Sequence, residues 1–195
     1  SSGTYTDVFT ASNGCDSTVT TILTVQSSSS VVIQVSPINT TICAGNNVTL
    51  QALQLNYITY QWYNMNGPIA GANTSSYTSA IPGNYYVEIT TSLGCSNTSN
   101  VATVNVISVS TPTGLSTSAI QLDRATMNWN SVTNADHYDV RIREQGSGSW
   151  QFITNIFTTS RLKTGLSSAT TYEWQVRSAC TNDSSSVSAW SSSEV

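Results

Sequence analysis

The feature that most constrains how this chain can fold is an internal echo. Gly3-Thr4-Tyr5 through Gly14-Cys15 lies over Gly83-Asn84-Tyr85 through Gly94-Cys95 at a constant offset of about 80 residues, with Thr10/Thr90 and Ser12/Ser92 also in register. A period of that size is the size of a module. Both copies run on into alternating valine-rich ends, Val19 to Val25 and Val101 to Val106. Each copy therefore predicts a penultimate strand, a glycine turn and a final strand. The first copy has no earlier strands, and a lone two-stranded ribbon is marginal in water. Residues before Ser1 in a longer protein, or a partner covering the ribbon, are expected to complete it.

Between the copies, Ser27 to Ser30 has the composition of a linker. Val31 to Val35, Val48 to Ala52 and Ile58 to Trp62 then alternate in the manner of half-buried strands. Asn66-Gly67 signals a turn, Tyr77 marks a short strand, and Tyr85, Val87 and Ile89 are expected to point inward from the next. Short strands at this spacing predict a sandwich.

Tyr60-Gln61-Trp62 followed by Gly83-Asn84-Tyr85-Tyr86-Val87 resembles the immunoglobulin pattern, with Val87 where the family's core cysteine lies and Val48 and Leu50 in place of its partner. Ile42-Cys43-Ala44-Gly45, Gln61-Trp62-Tyr63 and Gly94-Cys95 resemble the tandem immunoglobulin-like repeats of large adhesins in bacteria that use type IX secretion. Further on stand Pro112-Thr113-Gly114-Leu115, Trp129, the strand Tyr138 to Arg143, and Leu166 six residues before Tyr172 as in a tyrosine corner. These are similar to a fibronectin type III domain. The resemblance implies an all-β chain of tandem immunoglobulin-like and fibronectin type III β-sandwiches, divided as 1–26 (the C-terminal part of a truncated module), 27–109 and 110–195. The last of these stops within its expected final strand.

Charge narrows the function. Only 8% of the 195 residues are charged, Ser and Thr supply about a third, and no Lys or Arg precedes Arg124. Nucleic-acid binding needs clustered cations, so it is not expected. No run of about 18 apolar residues exists to span a membrane as a helix.

Four cysteines allow three pairings. The expected boundaries favour Cys43 with Cys95, a bridge tying the start of the middle module to its last hairpin. In the chain-entropy model a loop of about 50 residues contributes roughly 4 kcal/mol. Cys15, the counterpart of Cys95, is then expected to find its partner before Ser1, and Cys180 to be free or paired outside these 195 residues. Disulfides place the chain in an oxidising, extracellular or cell-surface setting.

Catalytic, metal and cofactor residues are not expected. His137 is the only histidine. Preceding the inward Tyr138, it is expected on a solvated outer face, with Asp136, Asp139 and Glu144 as surface charges. Trp190, in Ser188-Ala189-Trp190-Ser191, is expected to stack on Arg177, Arg141 or Arg143, resembling the Trp–Arg ladders of fibronectin-type receptor domains. Tyr63, Trp150 and Trp190 are the candidate platforms for sugar rings. Asp16-Ser17-Thr18 resembles the O-glycosylation motif of these bacteria, which makes Ser17 a candidate modification site. The expected role is a non-catalytic spacer or stalk segment of a secreted or surface adhesin. Its partners are neighbouring modules, with surface polysaccharide or other adhesin chains as further candidates. A carbohydrate-binding accessory region of a secreted hydrolase and a filament subunit are the alternatives.

Overall fold

The computed structural model describes residues 2–25, 32–36, 40–53, 59–92 and 94–195. The Ser27–Ser30 linker lies outside the described residues, as do Val31 and Ile58 of two expected strands. Among the described residues the regular structure is all strand.

β1 (Gly3–Thr10) and β2 (Asp16–Leu23) pair antiparallel from Gly3↔Leu23 to Thr10↔Asp16. Their turn closes with Gly14 at φ 78°, its N–H donating to Ala11 O at 3.0 Å. Gly94 repeats this at φ 77°, donating to Thr91 O at 3.0 Å. A left-handed φ is costly for any residue with a Cβ, so the sequence echo is a backbone echo as well. Strand alternation puts Tyr5, Phe9, Val19 and Leu23 on one face of the ribbon. All four are exposed, by 46 to 60%.

The first sandwich follows, with β3 (Ile33–Ser36), β4 (Thr41–Cys43), β5 (Val48–Ala52), β6 (Thr59–Asn64), β7 (Gly67–Pro68), β8 (Ser76–Ser79), β9 (Gly83–Thr90), β10 (Ser96–Thr98) and β11 (Ala102–Ile107). One sheet runs β3-β5-β8. The other runs β4-β11-β9-β6-β7, with β10 also on β9. Alternation in β5 and β9 turns Val48, Leu50, Ala52, Tyr85, Val87 and Ile89 inward around Trp62, which is fully buried. Its indole N–H donates to Thr74 O at 2.9 Å, so the large ring carries no unpaired donor into the core. The β4 strand joins the end of β11 in parallel, Thr41↔Asn105 through Cys43↔Ile107.

The second sandwich contains β12 (Ser116–Ser118), β13 (Arg124–Asn128), β14 (His137–Glu144), β15 (Gln151–Ile156), β16 (Ser160–Thr164) and β17 (Tyr172–Ala179). Its sheets are β12-β13-β16 and β15-β14-β17. Met127, Trp129, Tyr138, Val140, Ile142, Trp174 and Val176 form a separate core. Residues 187–194 follow the free edge of β17 as an irregular last strand, bridging at Ala179↔Val187 and Trp174↔Glu194. Between those bridges the hydroxyls of Ser188 and Ser191 accept the N–H groups of Ser178 and Val176, each at 3.1 Å. Side chains thus take the place of ladder carbonyls, and regular pairing lapses.

A tyrosine hydroxyl pins a loop in each sandwich. Tyr85 donates to Ile81 O at 2.9 Å, and Tyr172 accepts from Ser167 N–H at 3.1 Å.

Candidate functional site

The residues that matter most gather where the chain passes from one sandwich to the other. Cys43 ends β4 level with Ile107 at the end of β11. Ser110, three residues on, accepts the Ser178 hydroxyl of β17 at 2.6 Å. Cys180 directly follows β17, so both cysteines face the junction. They are joined, with their Cα atoms 6.0 Å apart.

This corrects the expected Cys43–Cys95 bridge. Cys95 follows Thr90 at the far end of β9, whereas β11 pairs with the Gly83 end and Cys43 lies beyond that. The eight residues of β9 therefore separate the two thiols by roughly 24 Å. A disulfide needs its Cα atoms within about 7 Å. Cys15 and Cys95 are both exposed and unbridged, and Cys180 is not free. A maleimide is accordingly expected to label Cys15 and Cys95 in the native chain, read by peptide mapping, and all four cysteines after reduction in denaturant. Label on Cys43 or Cys180 before reduction would overturn the pairing.

The loop after Cys180 is fastened on both sides. Ser186 donates to Ala44 O of the first sandwich at 2.8 Å, and the Cys180 N–H donates to Ser186 O at 2.8 Å. Asp183 accepts from Ser185 N–H at 3.0 Å. That bond, with the Thr181 and Ser185 hydroxyls, holds the Asp183 carboxyl at about 2, below its ordinary 3.8. A depressed folded value means the stabilisation is complete above about pH 4 and is lost as pH falls through 2. Carbon-detected NMR titration is expected to place the Asp183 midpoint near 2, and a midpoint near 3.8 would show that the loop is not held.

His137 is a second correction, since it is fully buried rather than solvated. The Cys180 loop folds over the outer face of β14 at its start. His137 Nε2 lies 2.9 Å from Ser184 Oγ, Nδ1 lies 3.0 Å from Asp136 Oδ2, and the Phe157 ring centre is 5.8 Å away. Asp139 is likewise fully buried and not a surface charge. Its Oδ2 accepts from Arg177 Nε and Nη2 at 3.1 and 2.9 Å, and its Oδ1 accepts from Asn155 N–H at 3.3 Å. Asp136 and Glu144 remain partly or largely exposed.

Arg177 opens a ladder across the same sheet. Its guanidinium lies 4.7 Å from the Trp190 ring centre, and Arg141 lies 4.6 Å from that ring. Arg141 is also 4.5 Å from Trp150, and Arg143 is 4.2 Å from it. Arg141 and Arg143 are successive outward residues of β14, which spaces their guanidiniums for an indole to slot between. The ladder expected at Trp190 is present, with Trp150 as a rung that sequence reasoning placed only among sugar platforms. Each such contact is worth about 0.5–1 kcal/mol. Burial, then repulsion from Arg143 and Arg177, lowers the Arg141 pKa. The Arg143 hydrogen bond lowers that of Glu173.

The remaining candidates are scattered. Tyr63 stacks on Tyr86 with ring centres 5.0 Å apart and 4° between planes, in the first sandwich. Its hydroxyl donates to Glu88 at 2.8 Å, which raises the phenol pKa. Ser17 is exposed on the ribbon opposite Phe9. A cavity of about 810 Å³ at the other end of the second sandwich is walled mainly by Ile120, Leu122, Met127, Ile142, Leu166 and Trp174, with Arg124 and Lys163 as its charged groups. Among the described residues no three His, Cys, Asp or Glu side chains are grouped to hold a metal ion, and no helix is long and apolar enough to cross a membrane.

Residues 30–108 match the family described as Ig-like domain, CHU_C associated. No curated protein matches the chain. Among solved structures, a crystal structure of titin domains covers 93% of this chain and 70% of its own, with TM-score 0.54 and 15% identity. A two-domain fibronectin type III segment of chicken tenascin covers 76% of this chain and 90% of its own, with TM-score 0.40 and 18% identity. At 15% identity the titin likeness shows the fold alone. The chain is all-β, with two β-sandwiches in tandem, the first of them similar to the CHU_C-associated immunoglobulin-like domains.

Proposed function

We propose that this chain is a non-catalytic spacer segment of a bacterial adhesin, exported by the type IX route and working outside the cell. The observation that carries the reading is the Cys43–Cys180 bridge, which ties two successive sandwiches at their junction. A staple there favours a fixed relative orientation, which a stalk needs and an independently tumbling binding module does not. A disulfide also fits an oxidising compartment. The ladder supports the same reading, because Trp150 and Trp190 each have two guanidiniums against the ring where a sugar would stack. We read 1–26, 27–109 and 110–195 as the module limits, and neighbouring modules as the principal partners.

Incubating the isolated chain with a glycan array and with insoluble polysaccharides tests this. A spacer retains nothing. Retention that is lost in Tyr63→Ala would replace the spacer with a carbohydrate-binding region. The exposed apolar face of the ribbon favours a second reading, a filament subunit whose ribbon is covered by another chain. Sedimentation over a hundredfold concentration range separates the two, since assembly that grows with concentration is expected only of the filament.

A further inference from the structure

We propose that the Cys43–Cys180 bridge is a covalent bypass for tension. A pull along the chain crosses from one sulfur to the other, and both sandwich cores lie in the slack loop between. The proposal rests on the spacer reading for its purpose but on the pairing for its mechanics. The joined cysteines stand 137 positions apart in sequence and 6.0 Å apart in space. Of the two cores, every buried apolar residue except Ile42 falls inside that loop, from Val48 to Val176. A load entering before Cys43 can strip β3 from β5 and β4 from β11. A load entering from Val195 can strip residues 187–194 from β17. Neither draws out the strands that carry Trp62 and Trp174 into the cores, because the next covalent link in the line of force is the sulfur.

The anchors suit this use. Cys43 is buried, and the turn after it is tied back by Ala44 N–H to Ile107 O at 2.8 Å and Asn46 N–H to Cys43 O at 3.0 Å. Beside the bridge, the Ser186 hydroxyl holds Ala44 O. A chain extends by at most about 3.3–3.6 Å per residue, so the bridge withholds roughly 450–490 Å of contour.

Single-molecule pulling of the full chain, with Cys15→Ser and Cys95→Ser to prevent cross-linking, reads this directly. Dithiothreitol cleaves the bridge by supplying two electrons and two protons, leaving thiols at Cys43 and Cys180 and closing to its own cyclic disulfide. Total contour released is expected to rise by roughly 450–490 Å on reduction. Equal release with and without dithiothreitol overturns the bypass. Adding Cys43→Ser is expected to give the long release without reductant, and the reduced parent chain supplies the same reading should that variant not fold. Polysaccharide retention by a chain that still shows the short release sinks the spacer reading and leaves the bypass. Long release from an oxidised chain that retains nothing does the reverse.

Discussion

Trp62→Ala is expected to lower the stability of the first sandwich by about 3–5 kcal/mol, and to leave the second nearly unchanged. Trp62 is fully buried, packs against Tyr77 with ring centres 6.0 Å apart, and satisfies its N–H at Thr74 O. Alanine loses the transfer free energy of the ring and leaves a cavity that short strands cannot collapse into. A sandwich of this size has only some 5–10 kcal/mol in hand. Because the cores are separate, one unfolding midpoint would average them. Amide hydrogen exchange is the better measurement. Protection at Leu50 and Val87 is expected to fall by roughly two to three and a half powers of ten, while Val140 and Val176 hold theirs. An equal loss in both cores would show that they unfold together.

Asp139→Ala is expected to do comparable harm to the second sandwich, about 3–5 kcal/mol, through charge rather than volume. Arg177 retains only 26% of its side-chain exposure and has both contacting nitrogens on Asp139. Without the carboxylate its guanidinium is left partly buried and unpaired, the Asn155 N–H loses its acceptor, and the last rung against Trp190 loosens. Asp139→Asn keeps an acceptor and the shape, so a smaller loss is expected. Amide exchange at Val140 and Val176 checks both, and protection there equal to the parent's in Asp139→Ala would refute the assignment.

Both predictions sit on residues that the chain discloses very differently. Trp62 was legible. Its place in Tyr60-Gln61-Trp62, the inward alternation of Tyr85, Val87 and Ile89, and the paired hairpins of Gly14 and Gly94 are all local patterns, and local patterns survive in one dimension. Asp139 was not legible, because alternation assigns it to an outer face and says nothing about what covers that face. The cover comes from the loop after Cys180, some forty positions away, with Ser184 lying on His137. The cysteines failed for a related reason. Expected module boundaries favoured a partner inside the same module, but pairing follows which ends meet. One cue was available, since the strand before Cys180 ends at the pole of its sandwich that faces the preceding module.

The parallel seam between β4 and β11 has a further mechanical meaning. In an antiparallel hairpin pulled open from one end, hydrogen bonds part singly, each failure exposing the next. Force drawing Thr41 away from Cys43 acts lengthwise on β4, so the evenly spaced bonds along Thr41↔Asn105, Ile42↔Val106 and Cys43↔Ile107 are sheared together. Three short pairings so arranged resist as one clasp, set immediately in front of the sulfur link that takes over when it slips.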